Sequence, residues 1–102
     1  MSTHTYTKKD LTRMVAQKTS LSLKESAEAV NGIFESIREL LTQDIQRIRL
    51  EVRNFGVFDV KPTKAKPRAR NPKTNEEIYV PAHKKIHFKP GKILKAYLSQ
   101  PL

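Results

Sequence analysis

The chain of 102 residues contains no cysteine, so neither a disulfide framework nor a thiolate metal site is available to it. No apolar run approaches the length of a membrane span, and the N-terminal residues lack the apolar segment of a signal peptide. There is no phosphate-cradling glycine loop, no nucleophile elbow and no plausible pair of catalytic carboxylates. These absences predict a cytoplasmic protein that is not an enzyme and has no metal, cofactor, small-molecule substrate or membrane partner.

Acidic side chains are scarce, because 10 Asp and Glu stand against 20 Lys and Arg, which gives a net charge of +10. The imbalance is concentrated in one half of the chain. Residues 1–50 hold 8 basic and 6 acidic side chains, whereas residues 51–102 hold 12 and 4. A charge excess of this size and asymmetry favours a polyanionic partner, and nucleic acid is the partner it indicates.

The most basic segment runs from Lys61 to Lys73, with the sequence KPTKAKPRARNPK, and carries six positive charges and no negative one. Four of its cations are spaced by two: Lys64, Lys66, Arg68 and Arg70. On an extended strand these four side chains would lie on one face, whereas a helix would scatter them. Because the segment ends in an Asn71-Pro72 turn, the pattern predicts a strand that follows the phosphate backbone of a nucleic acid into a groove.

Two N-terminal helices are predicted by capping boxes that precede apolar residues at helical spacing. Thr7 and Asp10 begin a helix over about residues 8–18. A second box, SLKE from Ser22, begins a longer helix over about residues 23–43. The apolar stripe of this helix consists of Leu23, Ala27, Val30, Phe34, Ile37 and Leu41. Such a stripe is typical of a hydrophobic core, part of which could belong to a partner subunit.

After the second helix the hydrophobic period changes from 3.6 to 2. Residues 48–52 and 57–61 read as two strands joined by the turn at 54–56, and alternation over residues 78–88 indicates a third strand. Pro90 and Gly91 then end the strand and open a short helix, Lys92 to Leu98. The order ααβββα predicts an α+β fold with two N-terminal helices, a three-stranded antiparallel sheet bearing a long β-ribbon arm, and a short C-terminal helix.

The predicted domain organisation is a single domain, residues 1–102, with a dimerisation body and a projecting arm. The body comprises residues 1–60 and 85–102, and the arm comprises residues 61–84. With 24 residues outside it, the body is small for a self-sufficient core, so we expect a dimer. The pattern leaves open a homodimer or a heterodimer with a paralogue. An isolated two-stranded ribbon is marginal in water, so the arm should be mobile when free and ordered on its ligand.

Three motifs follow one another along the chain: NFGVF from Asn54, RNPKT from Arg70 and FKPGKILK from Phe88. Together they resemble the bacterial HU and integration host factor (IHF) family of DNA-bending, histone-like proteins, and the likeness extends from Thr7 to Leu98. The resemblance implies an intertwined dimer whose two arms embrace double-stranded DNA through the minor groove, with each tip proline wedged between base pairs. HU and IHF are themselves standard examples of this mechanism.

Carried over by position, the resemblance implies that Pro72 is the intercalating wedge and that Arg70 and Asn71 line the groove beside it. Lys73 and the even-numbered arm cations, Lys64, Lys66, Arg68 and Arg70, would contact the backbone, and Lys61 is a further DNA-binding residue. Lys84, Lys85 and Lys95 would contact the flanks. Lys89 and Lys92 belong to the FKPGK phrase, which is more similar to IHF than to HU and would lie near phosphate.

On this reading the protein bends and compacts duplex DNA and is associated with the nucleoid. Its sequence preference should be weak, since minor-groove edges distinguish little beyond A·T from G·C, and deformable DNA should bind best.

The sequence departs from the family pattern in three places. Residues 41–56 are about three residues longer than usual and lack a glycine before the first strand, so the junction could be an extended helix. The ascending arm is one residue longer, and Pro62 and Pro67 indicate bulges or edge positions because they donate no ladder hydrogen bond. Asn75 replaces the usual glycine after the tip, and asparagine tolerates the left-handed conformation.

Two other functions are compatible with the sequence. A ribosomal-protein-like RNA-binding protein could share the small size, the basic charge and a β-extension, although RNP aromatics and a GXXG loop are lacking. A structural protein whose arms bind acidic partners is the second alternative. His83 and His87 lie on one strand face, but no third ligand has suitable spacing, so a metal site is not predicted.

Overall fold

The computed structural model describes residues 2–102, which form an α+β fold as predicted. The helices are α1 (Lys8–Lys18), α2 (Leu23–Leu41) and α3 (Lys92–Leu98). The strands are β1 (Ile48–Val52), β2 (Gly56–Pro62), β3 (Lys66–Arg70), β4 (Glu77–Val80) and β5 (Lys84–Pro90). Strands β1, β2 and β5 form a three-stranded antiparallel sheet with β2 in the centre, and β3 and β4 form a separate two-stranded ribbon.

The chain divides into two compact units, of which the first ends at Leu40 and contains α1 and most of α2. Both helices begin at capping boxes, as predicted. The Thr7 backbone N–H donates to Asp10 Oδ2 at 2.7 Å. At the second box the Ser22 N–H donates to Glu25 Oε1 at 2.9 Å, and the Glu25 N–H donates to Ser22 Oγ at 3.0 Å. The backbone and hydroxyl hydrogen bonds of Thr7 hold the pKa of Asp10 below its ordinary value. Those of Ser22 likewise lower the pKa of Glu25.

Helix α2 ends at Leu41, so the possibility of an extended helix in the junction is wrong. Residues 42–47 form turns and bends, and within them the Ile45 N–H donates to the Gln43 carbonyl at 2.8 Å. Asp44 would place a negative charge at the negative end of a longer helix, which disfavours continuation. The extra residues therefore form a turn that leads into β1.

The second unit, Leu41–Leu102, is organised by a sheet with one apolar and one charged face. Directly paired residues on neighbouring strands share a face. Phe58 on β2 lies opposite Leu50 on β1 and Phe88 on β5, and the two phenylalanine ring centroids are 4.9 Å apart. The apolar face consists of Ile48, Leu50, Val52, Phe58, Val60, Ile86 and Phe88. Alternation places the charged residues between them on the other face.

Helix α3 is anchored to the turn between β1 and β2 through Gly91. The Gly91 N–H donates to the Phe55 carbonyl at 2.8 Å. A Cβ atom at Gly91 would lie 3.0 Å from that oxygen, which is tighter than an ordinary contact, so glycine allows the close approach. The turn itself contains Asn54 with φ of 64°. Glycine and a left-handed asparagine thus join the last helix to the sheet.

The predicted third strand, residues 78–88, is two strands in the structure. The chain leaves the extended ladder at residues 81–83, and the opposite strand does so at residues 63–65. Pro62 and Pro81 border these breaks and supply no backbone N–H to a ladder. Two stretches of chain, residues 56–70 and 77–90, therefore pair twice. They pair first as β2 with β5 in the three-stranded sheet and then, beyond the two breaks, as β3 with β4 in the ribbon.

Few hydrophobic side chains are buried in the single chain. Among residues 2–102, Val30 and Val60 are the buried hydrophobics. Large apolar side chains that stay exposed include Leu11, Met14, Ile33, Phe34, Leu40, Val52, Phe55, Ile86, Ile93 and Leu98. Over the described part of the chain, no helix is both long and apolar enough to cross a lipid bilayer. Exposed apolar side chains in this number mark an interaction surface.

Candidate nucleic-acid interface

The arm, residues 61–84, consists of the β3–β4 ribbon, its tip, the two breaks and the adjoining ends of β2 and β5. The ladder of the ribbon is irregular. Its pairs are Lys66 with Val80, Ala69 with Ile78, and Arg70 with Glu77. Between the first two pairs β3 advances three residues while β4 advances two, which is a β-bulge. The bulge contains Pro67, for which the sequence predicted either a bulge or an edge position because proline donates no hydrogen bond to a ladder, whereas Pro62 stays in a regular pair with Lys84.

The bulge changes which arm cations share a face. Lys66 shares the face of Val80 and Ile78, which are two residues apart on β4. Arg70 lies opposite Glu77 and therefore on the other face. Lys64 lies outside both ladders, in the break at residues 63–65. The prediction that Lys64, Lys66, Arg68 and Arg70 all lie on one face of a strand is therefore wrong, and the arm carries positive charge on both faces.

The tip is a loop closed by backbone hydrogen bonds. The Asn71 N–H donates to the Glu76 carbonyl at 2.9 Å, and the Asn75 N–H donates to the Asn71 carbonyl at 2.7 Å. Asn75 has φ of 60°, so the prediction that asparagine adopts the left-handed conformation here is confirmed. The loop thus keeps a defined turn without a glycine.

Side chains fix the residues around the proline. Asn71 Oδ1 accepts a hydrogen bond from the Lys73 N–H at 3.0 Å, which closes a turn around Pro72. The Arg70 guanidinium donates to Asn75 Oδ1 at 3.1 Å. Pro72 itself is exposed. The tip therefore presents an exposed proline with a cation on each side of it in the chain.

A cross-strand contact joins the two breaks at the base of the arm. The Thr63 N–H donates to the His83 carbonyl at 2.7 Å, and the Thr63 hydroxyl donates to the same oxygen at 3.1 Å. The His83 N–H lies 3.3 Å from Thr63 Oγ1, and its ring Nδ1 is 3.0 Å from the Pro81 carbonyl. His83 is thus engaged in local structure. Within residues 2–102 there is no group of three side chains that could hold a metal ion.

The remaining cations predicted to contact nucleic acid lie on β2, β5 and α3, at the base of the arm and on the body. Lys61 and Lys85 are directly opposed across β2 and β5, and Lys84 Nζ donates to the Gln43 carbonyl at 3.3 Å. Lys89 lies on β5 and Lys92 begins α3. The predicted site residues that are exposed are Lys61, Lys64, Lys66, Arg68, Pro72, Arg70, Lys73, Lys84, Lys85, Lys89 and Lys92, whereas Asn71 is half-buried.

A buried carboxylate on the charged face of the sheet was not predicted from the sequence. Asp59 is fully buried, with Arg47 Nη2 at 3.4 Å and Lys89 Nζ at 3.6 Å from its Oδ2. Burial by itself raises the pKa of Asp59, but the hydrogen bond and charge of Arg47 and the charges of Lys89 and Lys61 outweigh it and hold the pKa below 3.8. The alternation of residues 47–53 marked Arg47 as polar, but only the three-strand register brings it to Asp59.

This chain is similar in sequence and in fold to known proteins. Residues 6–99 match the model of a family described as bacterial DNA-binding protein. The chain is 42% identical over 88 residues to DNA-binding protein HU-1 of Halalkalibacterium halodurans, an alignment that covers 86% of this chain and 93% of that protein. It is 37% identical over 90 residues to integration host factor subunit alpha of Hahella chejuensis, with coverage of 88% of this chain and 86% of that protein.

The fold also matches a solved structure. A chain of the Anabaena HU-DNA cocrystal structure superposes with a TM-score of 0.79 at 29% sequence identity, over 94% of this chain and 100% of that one. Sequence and fold therefore agree over nearly the whole length, which confirms the resemblance to HU and IHF. The chain belongs to the bacterial DNA-binding protein family that includes HU and integration host factor.

Proposed function

We propose that this protein is an architectural DNA-binding protein that bends and compacts duplex DNA with weak sequence specificity. The observation that carries the proposal is the arm, an exposed ribbon with cations on both faces and an Asn71-Pro72 tip, in a chain of this family. The family consists of DNA-binding proteins, and the chain is not an enzyme. Its place in the cell is with the chromosome, in the nucleoid.

The affinity for DNA comes from the phosphate backbone. Each phosphate neutralised by Lys or Arg releases counterions, so log K falls by about 0.9 per contact for each unit of log salt. Cations on both faces of the arm suit a ribbon that lies inside a groove, because phosphates border it on two sides. The residues that we assign to this role are Lys61, Lys64, Lys66, Arg68, Arg70, Lys73, Lys84, Lys85, Lys89 and Lys92.

The deformation comes from the tip. We assign Pro72 as the wedge that enters between two base pairs, with Arg70 and Asn71 beside it in the minor groove. Bending a short site costs on the order of 1–6 kcal/mol, and a wedge localises that cost at one unstacked step while the flanks gain phosphate contacts. Selectivity then follows deformability, so nicked, kinked or flexible DNA binds best.

The protein acts as a dimer, and the exposed apolar side chains support this. A single chain leaves the apolar residues of α2, the sheet and α3 uncovered, including Phe34, Ile86 and Ile93. A second copy, or a paralogue in a heterodimer, would cover them. Residues 1–60 and 85–102 then form the dimerisation body and residues 61–84 the two arms, which would produce two kinks per dimer.

A competition measurement tests the proposed function. Labelled duplex DNA is held at half saturation and displaced by unlabelled intact DNA, nicked DNA or duplex RNA of equal length. We expect nicked DNA to compete best, intact DNA next and RNA worst. Equal or better competition by RNA would favour the RNA-binding alternative, which the family match does not support.

A mass measurement tests the dimer. Analytical ultracentrifugation of dilute protein in high-salt buffer, where residual nucleic acid dissociates, should give twice the 11.7 kDa chain mass. Thermal unfolding should depend on protein concentration, since dimerisation couples to folding. A folded monomer with a concentration-independent midpoint would contradict this assignment.

A further inference from the structure

The charged face of the β1–β2–β5 sheet is basic and continuous with the arm. Because the opposite face is apolar and must be covered, this face is the one that remains open to solvent. Register and alternation place on it the cations Arg47, Arg49, Lys61, Lys85 and Lys89, with Glu51 and Asp59 as its carboxylates. Strands β2 and β5 lead directly from this face into the arm.

Asp59 differs from the other charged residues of this face. It is fully buried at the centre of the sheet, whereas the side chains of its partners Arg47 and Lys89 are 59% and 50% exposed. Its Oδ2 contacts both cations, and Oδ1 has no hydrogen-bond partner. A buried carboxylate is costly unless it is paired, so the two cations are drawn to one point and held there.

The ion pairs leave most of each cation available. A guanidinium has five N–H donors and an ammonium has three. Asp59 contacts one of the three guanidinium nitrogens of Arg47 and the single nitrogen of Lys89, each through the same carboxylate oxygen, so N–H donors remain on both cations. Arg47 comes from the turn before β1, and Lys89 from the far strand β5, so the contacts with Asp59 bring together cations from two edges of the sheet. Long basic side chains that are held in place lose less rotamer freedom when they bind an anion.

We propose that Asp59 is a positioning residue that holds Arg47 and Lys89 as a phosphate-binding pair on the charged face of the sheet, which adds Arg47 to the DNA interface. This inference rests on the proposed function, because the phosphates are those of duplex DNA. Asp59 acts through the two cations and does not itself contact the DNA.

The direction in which one substitution changes the DNA affinity separates a positioning role from a simple charge effect. Asp59→Asn keeps the shape and removes a negative charge, so charge alone predicts tighter DNA binding. Loss of positioning predicts weaker binding. If one or two phosphates are no longer neutralised, the salt slope should fall by about 0.9 to 1.8 and affinity at about 0.1 M salt should fall roughly 8- to 60-fold.

Glu51→Gln is the matched control for this substitution. It removes an exposed carboxylate, paired with Arg49 at 3.5 Å, from the same face of the sheet. Because Glu51 holds neither Arg47 nor Lys89, the control should bind DNA as tightly as the parent or more tightly.

A second pair of variants keeps the proposal testable if Asp59→Asn does not fold, which circular dichroism would show. Arg47→Gln and Lys89→Gln change exposed side chains, and each should lower the salt slope by about 0.9. Arg13→Gln is the control, since Arg13 is another exposed arginine with an acidic partner, 3.6 Å from Asp10. Its loss should leave the salt slope unchanged.

The result that overturns the inference is parent-like or tighter binding by folded Asp59→Asn, or an unchanged salt slope in Arg47→Gln. Failure of the proposed function is a different outcome, because the parent itself would then show no salt-dependent affinity for duplex DNA.

Discussion

The sheet and the arm are built from the same two stretches of chain, yet they are held in different ways. In the sheet, β2 and β5 form seven consecutive pairs, and Gly56, Asp59 and Val60 are buried. In the arm, the β3–β4 ladder shifts register within three pairs, and none of residues 61–84 is buried. The sheet is stabilised by packing, whereas the arm is held by hydrogen bonds at its tip and base. Order in the arm should therefore depend on its ligand, and stability on the sheet.

This difference means that stability and DNA binding should respond to different substitutions. A change in the arm weakens the attraction to phosphate but removes no buried surface. A change on the apolar face of the sheet removes packing, and its effect on binding should follow only from loss of the folded body. Substitutions in the two regions can therefore test each side of this separation.

The largest effect is expected from the arm cations. Replacing Lys64, Lys66 and Arg68 together with Ala should lower affinity for every duplex, by up to about 500-fold at about 0.1 M salt if three phosphates are no longer neutralised. The salt slope should fall by about 0.9 per phosphate, while the thermal midpoint stays nearly unchanged, because these side chains are exposed. Unchanged affinity at low salt would mean that the arm is not the binding element.

A substitution at Gly56 should lower the stability of the sheet without changing the arm. A Cβ atom there would meet the Lys89 carbonyl at 2.5 Å and the Phe88 ring at 2.6 Å, so Gly56→Ala forces the central strand away from β5. We expect a loss of about 1–3 kcal/mol in unfolding free energy, measured by urea denaturation. Gly32→Ala is the control, since nothing lies within 4 Å of a Cβ at that position in α2. It should stabilise the protein by about 0.5–1 kcal/mol. Equal effects of the two substitutions would contradict the packing account.

A smaller effect is expected at the capping box of α2, away from both sheet and arm. Ser22→Ala should cost about 1 kcal/mol of stability without changing the DNA salt slope. The pKa of Glu25 is lowered in the folded protein, so its contribution is present above the ordinary value of 4.5 and is lost as the pH falls through the lower folded pKa.

Comparison of the parent with Glu25→Gln checks this pH dependence. The difference in urea midpoint should be largest near neutral pH and should shrink as the pH falls below 4.5. A difference that grows on acidification would have the wrong sign for the assigned hydrogen bonds.

Local sequence signals predicted the helices well. The first and last helices have the predicted bounds. A capping box marks the start of the first, and Pro90 and Gly91 mark the start of the last, because both signals act within a few residues. The end of α2 was placed two residues late, since apolar periodicity alone does not mark where a helix stops. The turn conformation at Asn75 was also predictable, because it depends on one residue type.

Features that depend on pairing between distant residues were not predictable. The two breaks at the base of the arm meet through Thr63 and His83, which are 20 residues apart, and no local period encodes that contact. The bulge at Pro67 was indicated, but its effect on the faces of the arm follows from the register with β4. The Asp59 cluster likewise requires three strands to be aligned. The DNA-contacting roles of individual residues remain predictions.

Deformation of DNA by the arm tip is tested most directly by the end-to-end distance of a short duplex, measured by fluorescence transfer at saturating protein. The parent should shorten this distance. Pro72→Ala should bind with nearly the same salt slope and the same thermal midpoint, since Pro72 is exposed, yet should shorten the distance much less. Equal shortening by Pro72→Ala and the parent would contradict the assignment of Pro72 as the wedge, while leaving the arm as the phosphate-binding element.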